Sequence, residues 1–108
     1  MNYRNLRVAN LIRDELSAII LRELEFPGAL VTLTDVKIDK KLELATIKAS
    51  VLPAQKEKEA LQTLANEQGR LQHLLSRKLN IKPMPRIRFE LDPGPAKAAN
   101  IEKILLDK

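Results

Sequence analysis

The hydrophobic period of this chain changes at Pro27-Gly28, and that change constrains the fold more than any other feature. Before it, Val8, Ala9, Ile12, Leu16, Ile19 and Ile20 recur at helical spacing, which predicts a long helix over about residues 4–25 with one buried stripe. After it, residues 30–38 (LVTLTDVKI) and 42–52 (LELATIKASVL) are rich in β-branched side chains and flank the polar turn Asp39-Lys40-Lys41. That arrangement predicts an antiparallel hairpin. Val31 and Leu33 share one parity while Val36 and Ile38 fall on the other, so a bulge is expected near Thr34-Asp35. In the second strand Ala45, Ile47, Ala49 and Val51 form the inward face, and Thr46, Lys48 and Ser50 the other.

The helical period then returns. Residues 55–66 place Ala60, Leu61, Leu64 and Ala65 inward, and residues 70–79 place Leu71, Leu74, Leu75 and Leu79 inward. Gly69 stands between them, and because a mid-helical glycine costs about 1 kcal/mol relative to alanine, a break is expected there. Pro83 and Pro85 force an extended connection, after which residues 86–92 alternate Ile87, Phe89 and Leu91 against Arg86, Arg88 and Glu90 as a third strand. Pro93-Gly94-Pro95 is a turn, and the tail to residue 108, with Ile101, Ile104 and Leu105 at helical spacing, reads as a short helix or a frayed end.

The resulting order is αββααβ. A right-handed crossover through the helix pair would lay the third strand parallel beside the second, giving an α+β fold: a three-stranded sheet with helices on one face and an open back. Ile12, Leu16, Ile19, Ile47, Leu71, Leu75 and Phe89 are expected to meet in the core. At 108 residues the chain suits one domain, with its core over about residues 4–92.

Few chemistries are available to such a chain. It has no cysteine, which excludes disulfides, zinc–thiolate sites and a cysteine nucleophile. Gly28, Gly69 and Gly94 are isolated, so neither a phosphate-cradling loop nor a dinucleotide fingerprint exists. The single histidine, His73, has no nucleophile or metal ligand at a diagnostic spacing, and a solvated surface position is its plainer reading. Neither a catalytic residue nor a metal site nor a cofactor is expected, and no small-molecule substrate. No apolar run approaches the roughly 18 residues of a membrane span, so a soluble, cytoplasmic chain without a membrane partner is expected.

The charge is more informative. The net charge is +5, yet residues 1–29 carry four charges of each sign, and residues 69–92 alone carry a net +4. Within that stretch Arg70, His73 and Arg77 fall at i, i+3 and i+7 on one helical face. Lys78, Lys82, Arg86 and Arg88 follow, and Lys48 lies alongside the last two on the open sheet face. A local excess of this kind points to a nucleic acid, and Arg70, His73, Arg77, Lys78, Lys82, Arg86, Arg88 and Lys48 are the candidate binding residues. With only Tyr3, Phe26 and Phe89 as aromatics, recognition through stacked bases is disfavoured.

An ordered set of short matches runs from Arg7 to Leu105: Arg7-Val8-Ala9, Leu11-Ile12-Arg13, Glu15-Leu16, Val31 to Val36, Ala45, Ser50-Val51-Leu52, Gly69, Pro85, Phe89 to Asp92 and Ile101-Glu102. Together they resemble the ribosome-binding factor A family of small-subunit maturation factors. The resemblance implies a KH-like domain of type II in which an Ala-x-Gly kink between the second and third helices replaces the usual Gly-x-x-Gly loop. This chain keeps Gly69, which the resemblance adds to the candidate RNA-binding residues, but has Glu67 in place of the alanine, and Arg70 where a bulky apolar residue commonly follows. The resemblance further implies binding, as a monomer, to the immature free 30S subunit and its ribosomal RNA. It also implies assistance to late maturation and rRNA 5′-end processing, including cold adaptation. Two other readings stay open: a generic KH-like RNA-binding module, and a protein-interaction domain using the face of Leu11, Ala18 and Leu21.

Overall fold

A computed structural model describes residues 3–92, in the order α1 (Tyr3–Glu23), β1 (Leu30–Ile38), β2 (Leu44–Leu52), a 3-10 turn (Ala54–Lys56), α2 (Glu57–Asn66), α3 (Gln68–Lys78) and β3 (Arg86–Leu91). The turn after α1 is set by Pro27-Gly28. Gly28 has a φ of +71°, and the Ala29 N–H donates to the Phe26 carbonyl at 2.9 Å, which is a turn with proline and glycine at the two central positions. The tail from Pro93, with its expected short helix, lies outside the described residues.

β1 and β2 pair antiparallel, from Leu30 opposite Leu52 to Ile38 opposite Ala45, and the register shifts between Leu33 and Asp35. That is the expected bulge, and it lets Leu33 and Val36 both turn inward. β2 begins at Leu44, two residues later than the β-branched pattern suggests. The Asp39 carboxylate accepts from the N–H groups of Glu43 at 2.7 Å and Leu44 at 3.0 Å, and Leu42 adopts a left-handed φ of 59°, so the turn takes two more residues.

β3 lies parallel to β2, with Ala45 opposite Ile87 and Ile47 opposite Phe89, and the sheet order is β1-β2-β3. All three helices cover one face, as in a type II KH-like fold. Ala45, Ile47 and Ala49 of the central strand are fully buried there beneath Ile12, Leu16 and Ile19 of α1, Leu64 of α2, and Leu71 and Leu75 of α3.

Three expectations need correction. Phe89 is only half-buried, and the fully buried side chain of β3 is Ile87. β3 is an edge strand, so the outer side of Phe89 lacks a neighbouring strand to cover it. Ala65 is exposed, and α2 buries Ala60 and Leu64 with Leu61 partly covered. The helix break falls at Glu67 (φ −96°, ψ 2°), while Gly69 has an ordinary helical backbone inside the first turn of α3. Hydrogen bonding continues through the break, from the Glu67 N–H to Thr63 and from the Leu71 N–H to Glu67.

Candidate nucleic-acid interface

α1 and α3 pack antiparallel. Glu23, at the end of α1, meets Arg70, in the first turn of α3, while Arg4, at the start of α1, approaches the Lys82 carbonyl at 3.5 Å, just beyond α3. Between these ends α1 forms one wall of an open groove, and α3 with the segment that follows it forms the other. One part is lined by Glu15, Ala18, Ile19, Arg22, Leu74, Arg77 and Lys78. The other is lined by Arg4, Arg7, Val8, Leu11, Asn80, Ile81 and Lys82. Arg7, Arg77, Lys78 and Lys82 are exposed and form no ion pair among the described residues. Six cations therefore flank a floor of short and apolar side chains, with Glu15 as the lining carboxylate.

The corner at the helix break is chemically different. The Arg70 guanidinium donates to the Glu67 carboxylate at 2.9 Å, to the Glu23 carboxylate at 2.8 Å, and at 3.4 Å to the Glu23 carbonyl. The two departures from the family pattern thus bind each other, and Arg70 also fastens the end of α1. Hydrogen bonds to Glu67 and then Glu23 hold Arg70 above its ordinary pKa, and those from Arg22 and Arg70 hold Glu23 below the usual carboxylate value. Gly69 beside it is exposed, and an added Cβ there would meet open space. His73 is exposed on the outer face of α3, one turn from Arg77.

The open sheet face gathers the remaining candidates. Lys48 sits opposite Glu90 in the parallel register and donates to its carboxylate at 2.8 Å, and Arg88 donates to the other carboxylate oxygen. Those two bonds hold Glu90 below the usual carboxylate value, Lys48 first. Beside them the Thr34 hydroxyl donates to the Asp92 carboxylate at 2.6 Å. Arg86 is exposed at the far end, in a cleft that also contains Asp39 and Glu43.

The structure therefore separates the candidate residues into two surfaces. Arg77, Lys78 and Lys82 belong to the α1–α3 groove, whereas Lys48, Arg86 and Arg88 stand on the opposite side of the sheet among carboxylates. The groove also contains Arg4, Arg7 and Arg22, which segment-by-segment charge counting passes over because residues 1–29 are neutral in sum. A helical projection would have found them, since 4, 7, 11, 15, 18 and 22 run along one side of α1. The Leu11, Ala18 and Leu21 face also divides. Leu11 and Ala18 line the basic groove, whereas Leu21, 86% exposed, belongs with Leu30 to an apolar cleft against β1.

Among the described residues no helix is long and apolar enough to cross a membrane, and no group of three or more acidic or histidine side chains could hold a metal ion. The family model described as Ribosome-binding factor A matches residues 4–105. A ribosome-binding factor A from Caldanaerobacter subterraneus subsp. tengcongensis is 32% identical over 108 residues, covering 97% of this chain and 88% of the relative. One from Dictyoglomus thermophilum is 36% identical over 104 residues, covering 94% and 87%. The crystal structure of ribosome-binding factor A from Thermus thermophilus superposes with a TM-score of 0.69 at 20% identity, over 81% of this chain and 94% of that one. A homology model of the Thermus thermophilus factor, fitted into a cryo-electron-microscopy map of its complex with the 30S subunit, gives 0.67 at 22% identity, over 79% and 94%. With a family match over nearly its whole length and the same fold in the solved structures, this chain belongs to the ribosome-binding factor A family.

Proposed function

We propose that this protein binds the immature small ribosomal subunit through its ribosomal RNA and assists late maturation, including processing of the rRNA 5′ end and growth in the cold. The observation that carries the reading is the concentration of cations with no ion pair among the described residues, Arg77, Lys78 and Lys82, on one side of a family member with a net charge of +5. Exposed Gly69, with no side chain to hold a phosphate chain off, sits on α3 near the same surface, and His73 extends the polar face. Arg86 adds charge from the sheet side. Lys48, Arg88 and Arg70 contribute after their ion pairs with Glu90, Glu67 and Glu23 are accounted for, so their share is smaller.

The protein acts by binding, as a cytoplasmic monomer, with no bond made or broken. A ligand shifts an equilibrium only by preferring one state, so a factor that favours an immature rRNA conformation loses its site when the subunit matures. Tagged protein should sediment with free small subunits. Cells lacking it should accumulate small-subunit precursors with unprocessed 5′ ends, most of all at low temperature. Arg77→Glu with Lys82→Glu should abolish the co-sedimentation without loss of fold. Sedimentation chiefly with polysomes, or normal end processing in the cold, would refute the reading.

The protein-interaction alternative has its own observation, the apolar cleft of Leu21, Leu24, Phe26 and Leu30 beside edge strand β1. Binding to small subunits that persists in high salt and survives the charge reversals would favour it.

A further inference from the structure

The geometry points to α1 as half of the RNA site: Arg7 and Arg22 form, with Arg77, Lys78 and Lys82 across the groove, a two-walled track for the sugar–phosphate backbone of ribosomal RNA. This rests on the reading of the protein as a small-subunit RNA-binding factor, and it names the surface that does the binding.

Four observations carry it. The cations stand on both walls of one groove, where their potentials add, instead of along one exposed helix face. On the sheet face Lys48 and Arg88 are answered by Glu90, whereas Arg7, Arg77, Lys78 and Lys82 form no ion pair among the described residues and Arg22 keeps a guanidinium partly directed to Glu23. The walls are fastened at one end by Arg70 on Glu23 and approach at the other through Arg4 and the Lys82 carbonyl, so the charge is placed before a ligand arrives. Between the cations the lining is short or apolar, with Ala18, Leu11 and Leu74 over the buried Val8 and Ile19, which admits a chain close to the helices.

The occupant that fits is a polyphosphate strand. α1 is 21 residues long, about 30 Å at 1.5 Å per residue, and its arginines run almost from end to end, a span that accompanies several successive phosphates. Phe26 lines the opposite cleft and Phe89 packs against the core, so neither of these two rings stacks bases in the groove, and its cations favour contact through the backbone. Where α3 lines the groove both walls are helices, so a protein segment would find no strand edge to extend there.

The experiment compares wild type with Arg7→Gln/Arg22→Gln for binding to isolated small subunits over a range of salt. Each lost phosphate contact flattens the slope of log K against log salt by roughly 0.7 to 0.9, so the double variant should lose about 1.4 to 1.8 from its slope and on the order of tenfold in affinity at moderate salt. Because the chain has no cysteine, Ala18→Cys offers a unique point for a short photo-crosslinker, which should capture rRNA in the complex. Unchanged affinity and slope in the double variant, with wild type bound to small subunits, would overturn the inference and leave the functional reading intact. Crosslinking to a ribosomal protein in place of rRNA would also overturn it. Failure of wild type to bind small subunits would remove the functional reading and this inference together. Unchanged circular dichroism and Tm in the double variant separate loss of contact from loss of fold.

Discussion

Gln72 offers a sharp test of how the helices hold the edge strand that borders them. In a parallel pair, alternate N–H groups point away from the neighbouring strand. In β3 the Arg86 N–H donates to Glu43 of the β2 side, and the Ile87 N–H faces outward with no strand beyond it. Ile87 is fully buried, so that donor would be orphaned without a partner. Gln72 of α3 supplies one: its side-chain oxygen accepts from the Ile87 N–H at 2.7 Å, and its amide nitrogen donates to the buried Pro85 carbonyl at 3.0 Å. Gln72→Ala removes both bonds and leaves both buried groups unsatisfied. At about 1 kcal/mol net per bond, with an additional penalty for the stranded groups, the expected loss is roughly 2 to 3 kcal/mol. For a domain of this size that corresponds to a fall in Tm of about 10 °C or more by circular dichroism. Gln72→Glu is the discriminating variant. Its carboxylate still accepts from Ile87 but cannot donate to Pro85, and it sets a negative charge against a carbonyl oxygen. The loss should be largest at pH 7 and should shrink as the carboxyl protonates and regains its donor. Hydrogen exchange at the Ile87 amide should be slow in wild type and fast in Gln72→Ala. A Tm within about 2 °C of wild type for Gln72→Ala, or fast Ile87 exchange in wild type, would show that the amide bridge does not hold β3.

Three further outcomes follow from the same structure. Ile87→Ala should destabilise by about 3 kcal/mol or more, the usual range for emptying a fully buried aliphatic site, and by more than Phe89→Ala despite the larger ring, because Phe89 is only partly buried; denaturant titration of both variants checks the order. Gly69→Ala should stabilise the protein by roughly 0.5 to 1 kcal/mol, since the backbone is helical and the Cβ enters open space, while weakening small-subunit binding by crowding the bare backbone; loss of stability would refute the first half and unchanged affinity the second. Glu23 has its folded pKa lowered from an ordinary value of 4.5, so the stability it contributes is present in full above that value and is lost as pH falls through the lowered pKa. The difference in Tm between wild type and Arg70→Ala should therefore be constant from pH 8 to 6 and shrink as pH falls below 4.5 through the lowered value; a difference that does not shrink at all in acid would contradict the ion-pair assignment.

Much of the fold is written in local pattern. Helical and strand periods are properties of neighbouring residues, so α1, the hairpin, the helix pair and β3 are legible one segment at a time. The mismatch of parity between Leu33 and Val36 places the bulge because side chains in a strand alternate with period two. The handedness of the crossover then sets β3 parallel to β2 without reference to any particular side chain. Which inward residue of β3 is fully covered depends on where helices end above an edge strand, and alternation treats Ile87 and Phe89 alike. The break at Glu67 is another such case. Glycine weakens the helix near it, but the residue that leaves helical geometry is one whose carboxylate is held by Arg70, itself drawn toward Glu23 47 positions earlier.

The candidate site shows the same division more clearly. The excess of positive charge in residues 69–92 is countable along the chain, and it identifies Arg77, Lys78 and Lys82 without a structure. Which cations remain available is decided only in three dimensions. Lys48 meets Glu90 across the parallel strand pair, where Arg88 of the same strand joins it, and Arg7 and Arg22, from a segment neutral in sum, come to stand beside the cations of α3 when the two helices pack antiparallel. Coulomb attraction depends on distance through space and on the solvent between charges, and separation along the sequence enters neither.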